Sequence, residues 1–217
     1  MICHKQKIIF IHIPKCAGSS IQCFHFGGKY LNWRIPNYEV LHGYCPLRKL
    51  HLQHATPRQL IETGLIEKSI WDSYFKFSFV RNPWDRAYSD YMWILKDTKI
   101  QGTFEEYITK SGPFEEVLNS ADTYLFRGDH LLPQTDFIEL DGDLKLDFVG
   151  RFESFKEDII KLNRILSITR EFNEHENRNP HRLASYSLFY TEANRKRVEK
   201  LYEKDIQQFD LPPFYRT

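Results

Sequence analysis

The segment IFIHIPKCAGSS, from Ile9 to Ser20, constrains the fold more than any other stretch of the chain. The apolar run Ile8 to Ile13 is continuous and does not alternate. Such a run reads as a strand buried on both faces, which belongs in a parallel sheet covered by helices. It empties into a proline, a lysine and small residues. Gly18 lets backbone N–H groups approach a ligand, and Ser19 or Ser20 caps or opens a helix whose free N–H groups and dipole attract an anion. Lys15 adds a full positive charge. In an open α/β sheet, ligands sit beyond the carboxyl ends of the strands, where this turn falls. The residue order differs from the ATP-type loop G-x-x-x-x-G-K-[ST], because the lysine precedes the glycine. Taken alone, the stretch also reads as a plain strand–turn–helix with an exposed lysine.

A second strand, Tyr74 to Val80, ends in a similar way. FSFVRNPWDRAYSDY places Arg81 at the strand end and turns helical from about Pro83, with Asp85 and Arg86 in the first turn. Ser89 follows Arg81 by about two helical turns. An arginine there is a rigid, permanently charged fork suited to a phosphate; the plainer alternative is a salt bridge to Asp85. Two basic strand ends make two separate anion sites on one rim. ATP presents one contiguous phosphate tail, whereas two sites suit a nucleotide phosphorylated at both the 5′ and 3′ positions.

The rest of the chain fits the same architecture. Thr56 and Pro57 open a helix that Gly64 closes. FEEYITK is a short helix. Leu144 to Ser154 reads as a third strand and turn, followed by a helix with Ile159, Leu162 and Leu166 on one face. Thr191 caps a long C-terminal helix with Val198, Leu201, Tyr202 and Phe209 as its stripe. Strands alternating with helices predict an α/β fold, a parallel β-sheet flanked by helices on both faces. The 217 residues allow one sizeable core, so a single domain over 1–217 is expected. Trp33, Trp71, Trp84 and Trp93 are expected in the core rather than in a cleft.

Charge and cysteine usage exclude several partners. A net charge of +1 gives no global drive towards nucleic acid or anionic membrane. No stretch approaches the ~20 apolar residues of a membrane span. The run Ile8 to Ile13 is short of the ~7–15-residue core of a signal peptide, so the expected location is cytoplasmic, as a protein or as a domain of a larger one. Cys3, Cys16, Cys23 and Cys45 crowd the first fifth of the chain, which favours free thiols over a disulfide framework.

HIPKCAGSS resembles the 5′-phosphosulfate loop of sulfotransferases that use 3′-phosphoadenosine 5′-phosphosulfate (PAPS), and FVRNPWDRAYSDY resembles their 3′-phosphate motif. HLLPQTDFI, FVGRFESFKEDI and FYTEANRKRVEKLYEKDIQQF resemble further segments of the carbohydrate-type, membrane-associated families and their small bacterial relatives, in the same order. The similarity runs from Ile8 to about Phe209. It implies a P-loop-like sulfotransferase fold with PAPS as donor co-substrate and no metal. Lys15, Cys16, Ala17, Gly18, Ser19 and Ser20 would then surround the 5′-phosphosulfate, and Arg81 and Ser89 the 3′-phosphate. A loop from Asn179 to Ser187 would cover the nucleotide, with Arg182 as a further 3′-phosphate contact or simply an exposed arginine. Cys16 stands where threonine is frequent; a small neutral residue is the preferred reading over a thiolate at a helix start. The implied acceptor is a sugar hydroxyl on an oligosaccharide or glycolipid, or another hydroxyl-bearing small molecule.

Sulfuryl transfer needs a base near the acceptor hydroxyl and positive charge near the bridging oxygen. Lys15 suits the second role. Histidine titrates nearest neutral pH and suits the first. His54, standing before the Thr56 helix as a histidine often does in related sequences, is the first candidate; His51 is the second and His12 the third. His130, Pro133 and Gln134 are weaker candidates near the cleft. His42, Cys45, His51 and His54 also offer four metal-capable ligands, although structural zinc pairs are usually more widely separated. Two further classes remain open. One is a non-catalytic nucleotide- or glycan-binding module. The other is an ATP-dependent kinase, disfavoured by the loop order and by the lack of an obvious magnesium-binding acid after a strand, with Asp147 the nearest. The acceptor pocket is expected in the loops around residues 26–50 and 97–130.

Overall fold

Four strands form the main sheet in the order β1-β2-β5-β8. Their residues are Ile2–Cys3 (β1), Ile8–Phe10 (β2), Phe75–Val80 (β5) and Phe148–Arg151 (β8). The computed structural model of the chain describes residues 1–27, 31–173, 185–211 and 214. β1 pairs antiparallel with β2, while β2, β5 and β8 run parallel. Two small antiparallel pairs stand apart: β3 (Tyr44–Cys45) with β4 (Leu50–His51), and β6 (Glu139–Leu140) with β7 (Asp143–Leu144). The parallel register aligns Phe10 with Phe77 and Val80 with Arg151, so the carboxyl ends of the three strands share one edge. The strand expected over Ile8 to Ile13 stops at Phe10, although the Ile11 amide still reaches the Phe77 carbonyl at 2.9 Å. The chain then leaves the ladder on its way to Pro14, which has no N–H to offer a neighbour.

Ten helices carry the connections among the described residues: α1 (Gly18–Phe26), α2 (Pro57–Glu62), α3 (Lys68–Ser73), α4 (Pro83–Thr98), α5 (Phe104–Ile108), α6 (Glu115–Asn119), α7 (Gln134–Ile138), α8 (Phe155–Ile165), α9 (Glu192–Leu201) and α10 (Glu203–Gln208). Thr56 and Gln59 form a full capping box on α2, and the Asn82 side chain accepts from the Trp84 and Asp85 amides to cap α4. The expected single C-terminal helix is two. Tyr202 separates α9 from α10 at φ −115° and ψ 26° while burying its ring, and Leu201 stays 39% exposed rather than joining the stripe. No helix among the described residues is long and apolar enough to cross a membrane.

Two apolar clusters hold these elements. One surrounds the sheet, where Phe77 and Phe79 on β5 are completely buried and each contributes about 1.5–3 kcal/mol. Gly150 on β8 lies so close that a Cβ there would stand 2.4 Å from the Phe79 ring. The second cluster packs Trp84, Tyr88, Tyr91 and Ile94 of α4 against Phe104 and Tyr107 of α5 and Val198 of α9. The 3.6-residue period of that α4 stripe turns the opposite helix face towards the sheet edge. Trp71 and Trp84 are core residues as expected, whereas Trp33 and Trp93 are only half-buried. All four cysteines are free.

Candidate active site

The β2–α1 turn is shaped by backbone conformation rather than by side-chain capping. Lys15 and Ala17 both adopt left-handed φ angles of 68° and 65°. Ala17 is the N-cap, and α1 starts at Gly18, so Ser19 and Ser20 lie inside the first turn rather than before it. The Ser20 amide already bonds the Ala17 carbonyl at 3.1 Å. A Cβ on Gly18 would sit 1.8 Å from His12 Nε2, so only glycine fits between the helix start and that ring. Cys16 is 1% exposed and its thiol donates to Gln134 Oε1 at 3.5 Å and to the Pro14 carbonyl at 3.6 Å. Burial pushes that thiol up to about 12, so Cys16 is a neutral packing group. The Lys15 ammonium stands 4.9 Å from the Trp93 ring centroid, and burial pulls it down to about 8 against the opposing pull of Asp90.

Arg81 joins this turn to the second strand end. Its Nη1 donates to the Lys15 carbonyl at 2.8 Å, and its Nε and Nη2 both meet Asp85 Oδ2 at 2.9 Å. The salt bridge to Asp85 is therefore formed, and Arg81 is only 3% exposed. Ser89 lies half-buried on α4. Gln134, completely buried at the start of α7, accepts from the Arg81 amide at 2.8 Å and donates to the Arg81 carbonyl at 2.9 Å. The same amide oxygen takes the Cys16 thiol. Arg86, 1% exposed, donates to the carbonyls of Pro14, Leu132 and His130 at 3.1, 3.0 and 2.8 Å. Gln134 and Arg86 thus fasten the β2–α1 turn to the α4 start and to the 128–138 segment. Neither role was visible in sequence, because every contact crosses at least 44 residues.

His12, His51, His54 and His130 gather beside this turn. The His54 ring meets His12 edge-on at 4.9 Å and His130 at 5.0 Å, with His51 at 6.0 Å. His54 Nδ1 lies 2.6 Å from Asp129 Oδ2, with both side chains about a tenth exposed. Burial, reinforced by His130 and His51, holds His54 well below the usual imidazole range. His51 is lowered to about 4 by burial, and its Nε2 faces the Phe126 carbonyl at 3.1 Å. His130 stacks on Trp93 at 4.8 Å and meets Asp90 Oδ1 through Nδ1 at 2.6 Å. Burial would raise the Asp90 carboxyl, but His130, Lys15 and Tyr107 together hold it at about 2.

The four-ligand set His42, Cys45, His51 and His54 does not converge among the described residues. Cys45 instead meets the Tyr38 hydroxyl at 3.4 Å and Arg48 at 3.8 Å. The one group of three metal-capable side chains among the described residues is His54, Asp129 and His130, with ligand atoms within 4.8 Å. Within that group His54 is already hydrogen-bonded to Asp129, while His130 turns its Nδ1 to Asp90 outside it. Asp147 sits at the opposite end of the sheet from Lys15 and Arg81, accepting from the Lys76 amide at 2.7 Å. A magnesium-binding role beside the two strand-end turns has no support there. Arg182 and residues 179–184 lie outside the described residues.

Fold and site together place the chain among α/β proteins in which Lys15 and Arg81 follow two parallel strands at one edge of the sheet. A model of the sulfotransferase family matches residues 1–212, and the chain belongs to that family. It is similar to an uncharacterized protein of Archaeoglobus fulgidus, 27% identical over 109 residues that span 50% of this chain and 80% of that protein. No solved structure matches it.

Proposed function

We propose that this chain is a PAPS-dependent sulfotransferase, acting as one domain over residues 1–217, that transfers a sulfuryl group to a hydroxyl, most naturally on a carbohydrate. The observation that carries the reading is the Arg81 bond to the Lys15 carbonyl, which brings the two strand-end turns within one hydrogen bond of each other. In this reading Lys15, Cys16, Ala17, Gly18, Ser19 and Ser20 cradle the 5′-phosphosulfate, through backbone N–H groups and the Lys15 charge. Arg81 and Ser89 hold the 3′-phosphate, Arg81 with part of its fork already spent on Asp85. Arg182 is retained as a further contact on the resemblance alone.

The acceptor oxygen attacks sulfur in line as the bond from sulfur to the bridging oxygen breaks. Lys15 stabilises the charge that builds on the bridging oxygen. His54, neutral at pH 7 because its imidazole is held low, takes the hydroxyl proton. Its ring is the member of the cluster that touches both His12, against the Gly18 turn, and His130, which stacks on the tryptophan under Lys15. His51 is the second choice; its Nε2 faces a main-chain carbonyl.

Turnover tests the reading. Release of 3′-phosphoadenosine 5′-phosphate from PAPS, followed by anion-exchange chromatography over a panel of nitrophenyl glycosides, should be acceptor-dependent. His54→Ala should lower it by roughly 10²–10⁴ with bisphosphate affinity unchanged. Unaltered turnover in His54→Ala removes the base assignment. Nucleotide binding without turnover on any hydroxyl acceptor favours the non-catalytic module.

A further inference from the structure

We propose that Asp129 is the positioning residue of the base: its carboxylate takes the Nδ1–H of His54, fixes the ring, and leaves Nε2 as the lone pair that meets the acceptor hydroxyl. The inference rests on the reading of His54 as base. It starts from a contact that sequence cannot show, since the two residues are 75 positions apart. Each is delivered by a short 3₁₀ turn, His54 by Leu52–His54 and Asp129 by Gly128–Leu131.

A ring nitrogen and a carboxylate oxygen 2.6 Å apart must share a hydrogen, and an ionised carboxylate has none to give, so Nδ1 donates. In a neutral imidazole the other nitrogen is then the acceptor. Among the described residues, the buried ring nitrogens without partners belong to His12, His25, His42 and His51, and none to His54. His12 and His130 hold the ring from two sides, at interplanar angles of 88° and 71°.

A second histidine–carboxylate pair, His130 with Asp90, makes the comparison sharp. Asp90 uses one oxygen on His130 and the other on the Tyr107 hydroxyl at 2.7 Å. Asp129 has one oxygen on His54 and the other, Oδ1, buried without any partner. Among the described residues its side chain hydrogen-bonds only the His54 ring, with Lys110 and His51 as electrostatic neighbours. When Nε2 takes the acceptor proton, the Nδ1–H stays on the ring and the new imidazolium faces the Asp129 carboxylate. The remaining charged or titratable groups around His54 are His130, His51, Arg127, His42 and His12. When charged, each disfavours an imidazolium, so Asp129 is the one anion hydrogen-bonded to the ring among the described residues.

Long-range ¹⁵N–¹H NMR of the histidine rings of the full chain, saturated with 3′-phosphoadenosine 5′-phosphate, reads the tautomer directly. The expected result is an Nδ1–H ring at His54, assigned by its loss in His54→Ala. Asp129→Asn should shift that ring towards Nε2–H and lower kcat at least roughly tenfold, with the acceptor KM and the bisphosphate affinity within about twofold. Asp129→Glu, which keeps the charge, should retain Nδ1–H; it also serves if the asparagine variant fails to fold. The double variant with His54→Ala should be no slower than His54→Ala alone. An Nε2–H ring in the unaltered chain, or an unchanged tautomer and kcat in Asp129→Asn, overturns the proposal. The two readings fail separately. If His54→Ala leaves kcat intact, the base is elsewhere and the positioning role goes with it. If His54→Ala abolishes turnover but Asp129→Asn does not, only the Asp129 assignment falls.

Discussion

Replacing Gly18 by alanine tests the fit between the β2–α1 turn and the histidine cluster. The new Cβ would lie 1.8 Å from His12 Nε2, 2.0 Å from Cδ2 and 2.5 Å from Cε1. His12 cannot swing away cheaply. It is 8% exposed, stacks on Phe10 at 5.4 Å and meets His54 edge-on at 4.9 Å. In an open helix the same change is favourable by up to about 1 kcal/mol. Overpacking a filled site costs about 1–3 kcal/mol, so the net expectation is a loss of up to about 2 kcal/mol. For a chain of this length each kcal/mol is worth about 2–4 °C in melting temperature. Differential scanning calorimetry should therefore find Gly18→Ala lower by up to about 8 °C. His12→Ala removes the obstructing ring, so the double variant should be more stable than the sum of the single changes predicts. A Gly18→Ala protein more stable than the parent, or fully additive single changes, would refute the packing argument.

Other consequences are smaller in scope. Gln134→Ala strips partners from the Arg81 amide, the Arg81 carbonyl and the Cys16 thiol; at about 1–3 kcal/mol for each buried group left unpaired, urea titration should register a loss of at least about 2 kcal/mol. The pH profile of kcat/KM should be flat through neutrality. His54 is held well below 6.5 and so loses its base form only in acid, while Lys15, lowered to about 8, loses its charge as pH rises past that value. A rate that still climbs between pH 6 and 7.5 would contradict the His54 part, and a Lys15→Met variant that keeps the alkaline limb would contradict the Lys15 part.

Much of the site's frame was legible locally. The non-alternating Ile8 to Ile13 run gave a parallel strand, Thr56 and Pro83 stand at helix starts, and Arg81 falls at a strand end, because these features depend on neighbours within one or two turns. What escaped was nonlocal. Ala17 takes a left-handed cap that no propensity favours, in a turn whose Pro14 and Lys15 carbonyls are held from afar by Arg86 and Arg81. Trp33 and Trp93 read as core by size, yet cations stack on both, Arg34 and Arg127 on the first and Lys15 on the second. Leu201 sat in a helical stripe on paper, but the break at Tyr202 turns it outward. Asp129 carried no motif at all; only folding brings it to His54.

The central claim is that two basic strand ends hold a nucleotide at its 5′ and 3′ phosphates. Calorimetric titration with 3′-phosphoadenosine 5′-phosphate, against ADP as the control lacking the 3′ group, addresses it most directly. The account predicts micromolar or tighter binding of the bisphosphate, with ADP weaker by roughly tenfold or more, as loss of a charge-assisted hydrogen bond implies. Arg81→Ala should erase that difference, and so, in part, should Ser89→Ala, which leaves the Lys15 carbonyl contact in place. Equal affinity for the two nucleotides, or no binding of either, would contradict the account.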